Sequence, residues 1–109
     1  MAGFNDREKG FEAKFRQDQE LRFKVTARRN KLLGLWAAGE RDLTGADADA
    51  YAREVVKADF EEPGDDDVLR KVLGDLTAKG KAPSEHLLRK RMDELMDTAM
   101  QQVQDEASR

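Results

Sequence analysis

The sequence predicts an all-α fold: a small four-helix bundle with a mobile, helix-prone N-terminal segment. Three observations predict it. The chain is rich in Ala, Leu, Glu, Asp, Lys and Arg, contains no isoleucine and has two prolines, a balance that favours helices. Its apolar residues recur at spacings of three and four. Gly, Pro and capping residues fall between the periodic stretches, where helices must stop and start.

The first helix is expected over residues 5–38. Asn5 suits the N-cap, and Asp6 and Glu8 suit the first turn. At roughly 100° per residue, Phe4, Phe11 and Phe15 share one face. Leu21, Val25, Leu32 and Trp36 share another, rotated from the first by roughly 70°. One continuous helix would not aim both stripes at one core. Residues 1–20 are therefore expected to be a separate segment, disordered when free, and residues 21–109 the four-helix domain. Gly39 suits the stop.

TGAD at residues 44–47 reads as a capping box opening a second helix, with Ala48, Tyr51, Ala52, Val55, Val56 and Phe60 on its apolar side. Pro63 and Gly64 in EEPGD break it. Asp65, Asp66 and Asp67 open a third helix, striped by Val68, Leu69, Val72, Leu73 and Leu76, and Gly80 closes it. Pro83 and Ser84 start a fourth, with Leu88, Met92, Leu95, Met96, Ala99 and Val103 inward and a fraying end, DEASR.

Composition bounds the chemistry. Charged residues make up 39% of the 109, against roughly 25% in an average domain, so the core must be small. The absence of cysteine excludes disulfides and thiolate chemistry. No run approaches the roughly 18 apolar residues of a membrane span, and no signal peptide opens the chain. A cytoplasmic protein is expected. The net charge of −3 hides segregation: residues 21–31 hold Arg22, Lys24, Arg28, Arg29 and Lys31 without an acid. Residues 40–67 hold eleven acids against Arg41, Arg53 and Lys57. Such blocks can recognise partners, but pairing of the two segments within the fold, basic residues with the acids of helix two, is the expectation.

No constellation supports catalysis or a metal. Glu61, Glu62 and the Asp triplet lack the alternate spacing of a calcium loop. His86 is the single histidine and reads as a surface residue. No phosphate-loop motif is present. Arg28, Arg29 and Lys31 near Trp36 could hold a phosphate and stack a base, which leaves room for weak nucleotide binding. The alternative reading is a small nucleotide-binding or nucleic-acid-binding helical protein using residues 22–31. The pI near 5.2 argues against nucleic acid and against membrane-surface attachment.

The phenylalanine stripe remains. Burying three phenylalanines is worth roughly 5–9 kcal/mol gross. Ordering about a dozen residues costs on the order of 1 kcal/mol each, and Gly10 adds roughly 1 kcal/mol. The terms nearly cancel, so the stripe needs a receiving surface. The rotation of its face favours a partner.

ARRNKLLGLWAA (residues 27–38) resembles the signature of the zeta subunit of alphaproteobacterial F-type ATP synthase, a family of ATPase inhibitor proteins. FNDREKGFEAKF, FKVTARRNK and AYAREVVKADFEEPGDDDVLRKV agree with it. The resemblance implies a regulator, not an enzyme, that needs no cofactor or metal. It would be peripheral to the inner membrane through the synthase. Its partners would be the alpha, beta and gamma subunits of the catalytic head. The N-terminal helix would enter an alpha/beta catalytic interface and block rotation in the hydrolysis direction. Carried onto this chain, the apolar anchors are Phe4, Phe11 and Phe15, and the polar contacts Asn5, Asp6, Arg7, Glu8, Glu12 and Lys14. Arg28, Arg29, Asn30, Lys31 and Trp36 would join the segment to the bundle, as secondary partner or nucleotide contacts. Gly10 and Gly39 depart from the family pattern, and Gly10 makes a folded wedge costlier.

Overall fold

The computed structural model describes residues 18–59, 64–81 and 83–108 in full, and only the helical backbone over 2–17 and 60–61. Four helices follow one another: α1 (Ala2–Glu40), α2 (Gly45–Glu61), α3 (Asp65–Ala78) and α4 (Glu85–Ala107). At 39 residues α1 is the longest, and α2, α3 and α4 all pack against it. The four-helix expectation holds. α1 begins at Ala2, so Asn5 lies inside the helix and does not cap it; the side chains of the phenylalanine stripe and of Phe60 lie outside the described residues.

Two apolar clusters form. The larger joins Leu33, Ala37 and Ala38 of α1 to Tyr51 and Val55, to Val68, Leu69, Val72 and Leu76, and to Leu88 and Met92. The smaller joins Val25 to Ala99 and Val103, with Leu21, Leu32 and Met96 against it. The stripes expected on α3 and α4 thus face inward. The stripe expected on α1 divides: Leu21, Val25 and Leu32 meet the C-terminal half of α4, while Trp36 rests on the larger cluster. Buried α1 positions also include Arg29, Asn30 and Leu33, a wider arc than one stripe, because α2 and α4 flank the helix. The rotation between stripes is therefore no criterion for what lies outside the core.

Gly34 sets the approach of α2 to α1. A Cβ at this position would lie 2.6 Å from the Ala52 Cα and 3.1 Å from its Cβ. Only a residue without a side chain lets the two backbones come this close.

Helix ends correct three expectations. α1 does not stop at Gly39. It runs to Glu40 and ends through Asp42, which takes the left-handed conformation at φ 61. The Asp42 N–H donates to the Gly39 carbonyl at 3.1 Å and the Leu43 N–H to the Ala38 carbonyl at 2.8 Å, a Schellman closure with Asp where glycine is usual. Leu43 packs on the larger cluster, which anchors the turn. At the start of α2 no side-chain capping box forms among the described residues; the Thr44 carbonyl accepts from the Asp47 and Ala48 N–H groups. Asp47 is one methylene shorter than the Glu such a box uses. The end of α4 stays helical through Ala107, because Arg28 holds Glu106.

Gly80 closes α3 as expected: at φ 86 it donates to the Thr77 carbonyl at 2.9 Å, and Lys81 donates to the Leu76 carbonyl at 2.9 Å. Ser84 caps α4, its Oγ accepting from the Leu87 N–H at 3.1 Å.

Candidate functional site

The residues singled out on α1 fall into three environments. Arg28 reaches α4: Nη1 donates to Gln102 Oε1 at 2.9 Å, and Nη2 to both carboxylate oxygens of Glu106 at 2.6 and 2.9 Å. It clamps α1 over the smaller cluster, where apolar burial is thinnest.

Arg29 and Asn30 are buried and make one network. Arg29 Nε donates to Asn30 Oδ1 at 2.8 Å, and Arg29 Nη2 to Asp65 Oδ1 at 2.7 Å. Asn30 Nδ2 donates to Asp59 Oδ2 at 3.3 Å, and the Gly64 N–H donates to Asp59 Oδ1 at 3.2 Å. No buried side-chain polar atom among the described residues lacks a partner. The network ties α1 to the end of α2 and the start of α3, as a buried guanidinium requires.

Lys31 is exposed and borders a groove of about 550 Å³ with Asp49, Ala52, Arg53, Val56 and Lys57. Trp36 turns elsewhere. It lies half-buried against the larger cluster, with the Arg91 guanidinium 5.2 Å above its ring. It lines a separate cavity of about 310 Å³ with Pro83, Leu87 and Lys90. Arg28, Arg29, Lys31 and Trp36 are thus not brought to one cavity. The side chains of the inhibitory-segment candidates Phe4, Asn5, Asp6, Arg7, Glu8, Phe11, Glu12, Lys14 and Phe15 lie outside the described residues.

Pairing of the basic block with the acids of residues 40–67 holds in part. Arg29 reaches Asp65 of α3 and Asn30 reaches Asp59 of α2, whereas Arg28 turns to Glu106 of α4. The Asp triplet is a junction: Asp65 holds Arg29, Asp66 holds Arg89 at 2.9 Å, and Asp67 holds Arg70. The Arg89 hydrogen bond and charge draw the Asp66 carboxyl below the usual carboxylate range. Sequence reasoning placed Asp65 in the acidic block but missed Glu106, because only the fold brings α4 to Arg28.

No group of three or more potential metal-ligating side chains occurs among the described residues. Among them, no helix is long and apolar enough to cross a membrane.

One long helix is held along part of its length by three shorter ones, an all-α architecture with basic and aromatic side chains beside the clamp. The chain belongs to the ATPase inhibitor subunit zeta family, whose model matches residues 1–102. It is also similar to a protein solved by solution NMR, at 52% identity and a TM-score of 0.69, covering 79% of this chain and 98% of that one. No curated protein matches it.

Proposed function

We propose that this chain restrains ATP hydrolysis by the catalytic head of an F-type ATP synthase, with the N-terminal part of α1 as the inhibitory element. That element enters an alpha/beta catalytic interface, reaches the gamma shaft and opposes rotation in the hydrolysis direction. The bundle of residues 21–109 holds it at the cytoplasmic face, peripheral to the inner membrane. Membership of the inhibitor family supports the target.

The observation that carries the mechanism is the length of α1. Its backbone is one helix from Ala2, while the first described position packed on a cluster is Leu21, preceded by exposed Asp18, Gln19 and Glu20. The helix therefore continues by nineteen residues, roughly 28 Å at about 1.5 Å per residue, beyond Leu21. Phe4, Phe11 and Phe15 on that extension supply apolar anchors, and Asn5, Asp6, Arg7, Glu8, Glu12 and Lys14 polar contacts.

The test adds purified protein to its cognate catalytic head and follows ATP hydrolysis. The full chain should suppress it, and a chain lacking residues 1–15 should not, while keeping its helical circular dichroism. Equal inhibition by the truncated chain would overturn the mechanism.

A further inference from the structure

Most of the described arginines are committed to carboxylates. Arg28, Arg29, Arg70, Arg89 and Arg91 each form an ion pair. Arg22, Lys31 and Arg53 form none among the described residues. These three cations lie along one feature, the seam between α1 and α2. Beside the groove at Lys31 and Arg53, and sharing Val56 with it, is a second space of about 290 Å³ lined by Arg22, Phe23 and Thr26. Ala52 and Val56 line its floor, and Phe23 stands 58% exposed at its far end. Its acids do not balance these charges: Asp49 is one, and both oxygens of Asp59 already accept from Asn30 and Gly64.

We propose that the α1–α2 seam is a docking groove for an acidic segment of a partner protein. Carboxylates of that segment would answer Arg22, Lys31 and Arg53, and an apolar side chain would lie between Phe23 and Val56. The partner is the catalytic head, so the inference rests on the function proposed above. Arg22 follows Phe15 by seven residues on the same helix, roughly 10 Å. A body that takes up the inhibitory element meets the seam next.

The groove's chemistry selects a polypeptide. Its walls are helix interiors, whose backbone N–H groups are bonded within their helices and offer no phosphate cradle of the kind a helix N-terminus provides. A long polyanion would also meet the net charge of −3 of the whole chain. A short acidic segment meets only the local positive charge, which favours encounter and register.

The absence of cysteine permits a direct test. A full-length Arg53→Cys chain carrying a photo-crosslinker is irradiated in complex with the cognate catalytic head. A Lys90→Cys chain, labelled outside the seam, serves as control. The expected product is a crosslink from position 53 to an acid-rich segment of the head, absent from position 90. In parallel, the Lys31→Glu/Arg53→Glu chain should need roughly tenfold more protein for half-maximal inhibition. It should reach the same plateau, and salt should narrow the difference. Unchanged half-maximal inhibition, or crosslinks to segments without acids, overturns the groove and leaves the inhibitor reading intact. If the wild-type chain fails to inhibit at all, both fall. If it binds single-stranded DNA and the double variant does not, the groove is a polyanion site and the proposal is wrong.

Discussion

Arg29 Nη2 donates to Asp65 Oδ1 at 2.7 Å, yet the two residues are oppositely placed: the arginine side chain is 2% exposed and the aspartate 57%. A buried guanidinium is held by a carboxylate at the surface, and Asn30 occupies its Nε. Removing the arginine leaves Asn30 Oδ1 without a donor and a void under α3.

Arg29→Ala should therefore cost about 3 kcal/mol. At roughly 4–8 °C per kcal/mol for a domain of this size, melting should fall by at least 10 °C. Asp65→Asn, at the exposed end, should cost less than half as much. Thermal circular dichroism measures both, and equal losses would contradict the asymmetry.

Gly34 and Gly39 should respond oppositely to alanine. At Gly34 the new Cβ meets the Ala52 backbone at 2.6 Å, which no rotamer change relieves. Overpacking of roughly 1–3 kcal/mol should exceed the helix-propensity gain of about 1 kcal/mol. At Gly39 nothing lies within 4 Å, so Gly39→Ala should stabilise by up to about 1 kcal/mol. Urea midpoints of the two variants would decide.

Asp42→Gly should stabilise by roughly 0.5–1 kcal/mol, because the left-handed conformation at φ 61 strains any residue with a Cβ. The lost pairing with Lys79, 3.7 Å apart at the surface, offsets little of this. A lower melting temperature for this variant would show that the ion pair outweighs the strain.

Tyr51 gives a pH signature. Burial, then its hydrogen bond to Asp75 Oδ2 at 2.8 Å, push its phenol well above the ordinary tyrosine value. The folded state keeps a proton that the unfolded state releases near pH 10. Stability from this residue is thus complete below about pH 10 and declines as pH rises beyond it. As the chain has one tyrosine, phenolate absorbance should appear only with unfolding. Tyr51→Phe should flatten this alkaline decline and cost about 1 kcal/mol at neutral pH.

Gly10→Ala bears on function. If folding of the N-terminal element limits inhibition, replacing a helix-interior glycine removes about 1 kcal/mol of opposing free energy. Half-maximal inhibition should then shift roughly fivefold lower. An unchanged value would mean that the helix is already formed before binding.

The local elements were legible because their signals are local. The stripe of Val68, Leu69, Val72 and Leu76, the closing Gly80 and the capping Ser84 each act within one or two turns. So does the resemblance of ARRNKLLGLWAA to its family, which rests on identity of letters. Asp42 was not legible as the end of α1, because glycine is the usual signal and Leu43 reveals itself only by packing.

The sequence by itself determined four helices, their apolar faces and the family. The tertiary structure alone decided what the basic stretch of α1 does. Arg28 and Glu106 are far apart in the chain, as are Arg29 and Asp65, and no periodicity relates them. Their pairing follows from where α3 and α4 cross α1. The same crossing leaves Arg22, Lys31 and Arg53 without an ion pair among the described residues, because Coulomb partners are chosen by distance in space, which only packing sets.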